Sequence, residues 1–96
     1  MQLERRERLT EPLVRAAKLL RDRYGADDVI LFGSLANGDL SGEIDVDIAV
    51  SALDGRYYFD ALADLMELFA APVDLVRLEE ASPSLRERIN EDGQRL

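Results

Sequence analysis

The stretch 31-LFGSLANGDLSGEIDVDIAV-50 decides how this chain is read. The apolar run Val29-Ile30-Leu31-Phe32 stops at Gly33-Ser34, and ten residues later Asp45 and Asp47 stand inside a second apolar run. Aspartate is depleted in strands, where it packs poorly and competes for backbone hydrogen bonds. Alternation along a strand over 44–50 puts Ile44, Val46, Ile48 and Val50 on one side and Asp45, Asp47 and Ala49 on the other. The aliphatic side is the expected core, with the carboxylates projecting from the opposite face. Carboxylates two residues apart on a strand lie about 6–7 Å from each other and repel by about 2–3 kcal/mol at an effective dielectric of 20. A solvated strand face, or an edge blunted by charge, is the bland alternative. Threonine or β-branched residues would fit such a face better.

Working outward, Asp28–Phe32 reads as a short buried strand, residues 34–37 as a helical turn and Gly38-Asp39-Leu40-Ser41-Gly42 as turn-rich. Upstream, Thr10-Glu11-Pro12 carries the marks of a helix start: a hydroxyl cap, an acidic first turn and an early proline. Leu13, Ala16, Ala17 and Leu20 form its apolar face, and Tyr24-Gly25 its stop. Residues 1–9 are left as an extra turn or a frayed arm. Downstream, residues 56–70 form a helix with Tyr58, Leu62, Leu65 and Phe69 on one face. Residues 72–78 form a third strand with proline at its edge. Ser82-Pro83 opens a last helix through Leu85 and Ile89, ending near Asp92-Gly93. Tyr57, Tyr58 and Phe59 are assigned to core packing, with a partner surface as the alternative. The order helix, strand, strand, helix, strand, helix describes a single α/β (α+β) domain over residues 1–96, with helices flanking a small mixed sheet of three to four strands.

Composition narrows the chemistry. The chain has 96 residues and no cysteine, which removes disulfides and thiolate metal sites. It also has no histidine, so the commonest general base and the Ser-His-Asp triad are both excluded. Any metal must sit on oxygen ligands and be a hard cation such as magnesium or manganese. The net charge of −8 argues against direct nucleic-acid binding, which needs a basic footprint. No segment approaches the roughly 20 apolar residues of a membrane span, and the N-terminus MQLERRERL lacks a secretory apolar stretch; the expected location is cytoplasmic.

If the third strand lies beside the second, Asp74 joins Asp45 and Asp47, and three carboxylates on one sheet face become favourable around a divalent cation. Gly33 allows close backbone approach, and Ser34 offers a hydroxyl and an amide at the start of a helical turn, together a cradle for phosphate. The lysine of a Walker loop is missing and no G-x-G-x-x-G is present. A phosphate cradle facing a carboxylate strand suits a nucleoside triphosphate with magnesium.

Gly33-Ser34, ten intervening residues and Asp45-Val46-Asp47 resemble the GS-x10-DxD signature of the DNA polymerase beta-like nucleotidyltransferases. The flanking Val29–Phe32, Ile48–Val50 and Val73-Asp74-Leu75-Val76 agree. The tail from Leu85-Arg86 through Ile89 to Asp92-Gly93 is similar to the end of the minimal nucleotidyltransferase (MNT) group. The resemblance implies a minimal nucleotidyltransferase fold, with Asp45, Asp47 and Asp74 as catalytic residues and as ligands of two magnesium ions. It assigns Gly33, Ser34, Asn37 and Gly38 to nucleotide binding, with ATP as substrate. It further implies an antitoxin that hands AMP to a hydroxyl, tyrosine above all, of a HEPN-type ribonuclease toxin encoded nearby, in a hetero-oligomer. Two positions depart from the family pattern: Asn37 stands where arginine is usual, and Ile44 where serine is frequent. They keep open a binding-only antitoxin that covers its partner. Nucleotidyl transfer to a small molecule such as an aminoglycoside is a third possibility.

Overall fold

Helix-forming residues dominate the first two dozen positions, and the chain uses them in one long rod. In the computed structural model, which describes residues 2–36 and 45–96, helix α1 spans Gln2–Tyr24 and carries Pro12 inside it. The start expected at Thr10 is therefore a helix interior. Leu3-Glu4-Arg5-Arg6-Glu7-Arg8 are all strong helix formers, and their summed propensity carries the helix through a cap-like tripeptide. Pro12 has no amide, so the carbonyl one turn earlier loses its intrahelical partner. α1 ends where the sequence said: Gly25, at φ 74°, donates its N–H to the Arg21 carbonyl at 3.1 Å.

Among the described residues four strands form one sheet in the order β3-β2-β1-β4, with β1 at Val29–Phe32, β2 at Val46–Val50, β3 at Val73–Arg77 and β4 at Gln94–Arg95. β2 runs antiparallel to β1, with Asp47 opposite Phe32, and parallel to β3, with Asp47 opposite Asp74. The two-residue β4 pairs with β1 and is followed by a bond from the Leu96 amide to the Val29 carbonyl at 2.8 Å. Nothing in Gln94-Arg95 signals a strand, since two exposed polar residues carry no alternation.

One sheet face holds Val29, Leu31, Val46, Ile48, Val50 and Leu75. It is covered by α1, through Ala16 and Leu20, and by helix α3 (Tyr58–Phe69), through Ala61, Leu65 and Phe69. A single 3-10 turn over Gly55–Tyr57, capped by Asp54, precedes α3 and takes the place of its expected first turn. Tyr58 packs against the core and donates its hydroxyl to the Leu75 carbonyl. Phe59, by contrast, is 78% exposed and Tyr57 44%, so the aromatic trio divides between core and surface. The opposite sheet face, expected to carry the carboxylates and Ala49, has a small core of its own. Helix α4 (Pro83–Asp92) lies across it and buries Ile89 against Ile30 and Ala49. Ser82 caps α4 by accepting from the Leu85 amide at 3.2 Å.

Pro12→Ala restores the missing intrahelical bond if α1 is continuous through this point. Chemical denaturation should then show a gain of up to about 3 kcal/mol with added helical ellipticity. A helix beginning at Thr10 would instead lose stability on the same change.

Candidate active site

β1 ends at Phe32, and the chain must turn sharply to avoid running past the sheet. Gly33 makes the turn at φ 77°, a left-handed conformation that a side chain resists, and opens the four-residue helix α2 (Gly33–Ala36). Its position is constrained twice. A β-carbon here would collide with the Asp47 carboxyl group, whose Cγ would lie 3.1 Å away. The backbone at the head of α2 and the Asp47 carboxylate therefore face each other at closest approach. Ser34 follows in α2, while Asn37, Gly38 and Ile44 lie outside the described residues. With only four residues, α2 contributes little macrodipole, so a phosphate held here depends on individual amides.

Asp47 is half-buried on the face shared with α4, and Asp74 is exposed on the edge strand β3 beside it in register. Asp45 is exposed and precedes β2, which begins at Val46, whose amide donates to the Pro72 carbonyl at 3.0 Å beside β3; Ile44, where the strand was expected to start, lies outside the described residues. The Asp47 carboxylate nonetheless senses the other two. Burial raises the Asp47 carboxyl above the usual range, and the charges of Asp74 and then Asp45 raise it further. Burial and the Asp74 charge likewise push up the Tyr58 hydroxyl.

Uncompensated, oxygen-only, mutually repelling donors are the chemistry a hard divalent cation neutralises, so the residues fit magnesium. Among the described residues no three acidic side chains form a ready-made metal cage.

A cavity of about 260 Å³ opens beside Asp47 and Gly33, walled by Phe32 and by Leu85, Arg88 and Asp92 of α4. Arg88 and Asp92 were not among the expected site residues. Their sequence positions look like an exposed helix face, and only the docking of α4 on the second sheet face brings them to Asp47. A larger groove of about 460 Å³ between α1 and β4 contains none of the expected site residues.

Two outcomes follow from this geometry. Gly33→Ala forces a β-carbon into Asp47 at a left-handed φ, and thermal melts should show a loss of about 1–3 kcal/mol. Asp47→Asn should instead stabilise the metal-free protein. Because the folded carboxyl titrates above its unfolded value, the wild type loses stability as pH rises from the ordinary carboxylate range through the raised folded value, and the amide does not. Melting temperatures of the two proteins should converge at low pH and separate above that window.

Known proteins are similar to this chain. The profile of the family described as polymerase beta, nucleotidyltransferase matches residues 15–96. A Methanocaldococcus jannaschii protein named "Putative protein adenylyltransferase" is 30% identical over 90 residues, covering 88% of this chain and 90% of that protein. A chain from the crystal structure of a toxin–antitoxin pair with AMP-PNP is 31% identical, with a TM-score of 0.74 over 88% of this chain and 69% of that one. A chain from the complex of tri-AMPylated Shewanella oneidensis HEPN toxin with MNT antitoxin is 29% identical, with a TM-score of 0.66 over 99% of this chain and 71% of that one. With the family profile spanning all but the first fourteen residues, and with the Gly33 turn facing an Asp47 that stands in register with Asp74, this chain belongs to the polymerase beta nucleotidyltransferase family.

Proposed function

We propose that the protein is an antitoxin that transfers AMP from Mg-ATP to a tyrosine hydroxyl of a HEPN ribonuclease toxin and so neutralises it. The observation that carries this reading is Asp47, which faces the Gly33 turn and stands in register with Asp74, in a chain similar to that of an MNT antitoxin bound to an AMPylated toxin. Asp45, Asp47 and Asp74 hold magnesium, and the Gly33-Ser34 backbone with Asn37 and Gly38 holds the triphosphate. Bound magnesium supplies charge stabilisation at the reacting phosphates. The acceptor oxygen attacks the α-phosphorus in line, the bond to the β-phosphate oxygen breaks, and pyrophosphate departs. Asp74, exposed on the edge strand, takes the hydroxyl proton. No histidine is required, since proton and charge are both handled by oxygen ligands.

A protein acceptor suits the surface better than a small molecule does. Phe59 is 78% and Met66 47% exposed, and large apolar side chains left in water mark contact surfaces. The net charge of −8 complements a basic, RNA-binding partner and speeds encounter with it. A second reading, neutralisation by covering the partner without chemistry, draws support from Asn37 and from the lack of a ready-made metal cage among the described residues.

Co-expression of the Asp45→Asn, Asp47→Asn double variant with the neighbouring toxin separates the two. Transfer predicts that the complex still purifies, that the toxin gains no AMP mass by mass spectrometry, and that growth inhibition returns. Neutralisation that persists in the double variant overturns the enzymatic reading in favour of the binding one.

A further inference from the structure

We propose that Arg88 of α4 grips the triphosphate of the nucleotide; the inference rests on the nucleotidyl-transfer reading above. Helical spacing sets Leu85, Arg88 and Asp92 on one stripe of α4. Leu85 packs on the small core formed by Ile30, Ala49 and Ile89, which docks the stripe against the sheet. Arg88 then lines the same cavity as Gly33 and Asp47.

Its guanidinium is also unengaged, which sets it apart. Arg15, Arg23, Arg56, Arg77 and Arg95 pair with carboxylates, and Arg21 and Arg86 donate to backbone carbonyls. Among arginines whose side chains are described, Arg88 alone makes neither kind of bond, although Asp92 stands one turn away on the same helix. In a chain of net charge −8, this free arginine lines the same cavity as a half-buried aspartate without pairing with it.

Charge balance says what that partner is. A triphosphate brings more negative charge than two divalent ions remove once three carboxylates hold them. The excess must be met by amides and a fixed cation. Guanidinium meets phosphate oxygens with two parallel N–H bonds, a geometry lysine does not match. Arg88 is exposed and its removal leaves both cores intact, so its loss is read in binding rather than in folding.

The test is calorimetric titration of the full chain with ATP and with AMP, each with magnesium. It compares wild type, Arg88→Ala, Arg88→Lys and the charge-matched control Lys18→Ala, whose side chain lines the groove between α1 and β4 instead. Arg88→Ala should weaken ATP binding by about tenfold or more and leave AMP binding within about twofold, with Arg88→Lys between and Lys18→Ala unchanged. Unaltered ATP affinity in Arg88→Ala, with binding by the wild type, overturns the inference and leaves nucleotidyl transfer standing. Equal losses for ATP and AMP also overturn it, since the β- and γ-phosphates are then not what Arg88 holds. Failure of the wild type to bind ATP brings down the transfer reading, and this inference with it.

Discussion

The pairing of β2 on both sides is the constraint from which the rest of this structure hangs. Antiparallel pairing with β1 puts Phe32 opposite Asp47, so the turn at Gly33 arrives beside that carboxylate. Parallel pairing with β3 puts Asp74 opposite the same residue. A slip of one residue in either pairing would send these side chains to the opposite sheet face and the aliphatic ones out of the core. The register is guarded by Val46, Ile48 and Val50, all fully buried between the sheet and helices α1 and α3. Core and site are thus two readings of one alternation, and neither can be displaced without the other.

That coupling has a cost. Asp47 is half-buried next to two like charges, and its carboxyl is pushed above the ordinary range, first by burial and then by Asp74 and Asp45. Functional clusters commonly carry such perturbed groups, because the arrangement suits a ligand rather than the empty fold. The two cores offset the strain. One lies under α1 and α3, and the other, smaller, lies under α4 and closes the carboxylate face down to a cavity. Without α4, Asp47 would sit on an open sheet face; with it, the site gains a wall and Arg88.

Much of the architecture was legible in local signals because each had a local cause. Gly25 at positive φ, the Ser82 cap and the apolar spacing of α3 and β1–β3 act within a few residues of themselves. The errors came where a local signal competed with its surroundings. Thr10-Glu11-Pro12 has the chemistry of a helix start, but strong helix formers on its N-terminal side carry α1 through it. Tyr57, Tyr58 and Phe59 look alike in sequence, yet the turn before α3 buries one ring and leaves the next exposed.

The identities and spacing of Gly33, Asp45, Asp47 and Asp74 were set by the sequence alone, since strand alternation and the need for glycine at a left-handed turn are properties of the chain itself. So was the exclusion of histidine and cysteine chemistry, which composition decides outright. Which strand lies beside which was decided only by the tertiary structure, because pairing depends on surfaces distant in sequence. The same holds for β4, whose two polar residues become a strand only when Gly93 delivers them to the free edge of β1. It holds most of all for the second wall of the site. Arg88 lies more than forty residues from Asp47 along the chain, and a helix face shows its neighbour only after it has been folded against it.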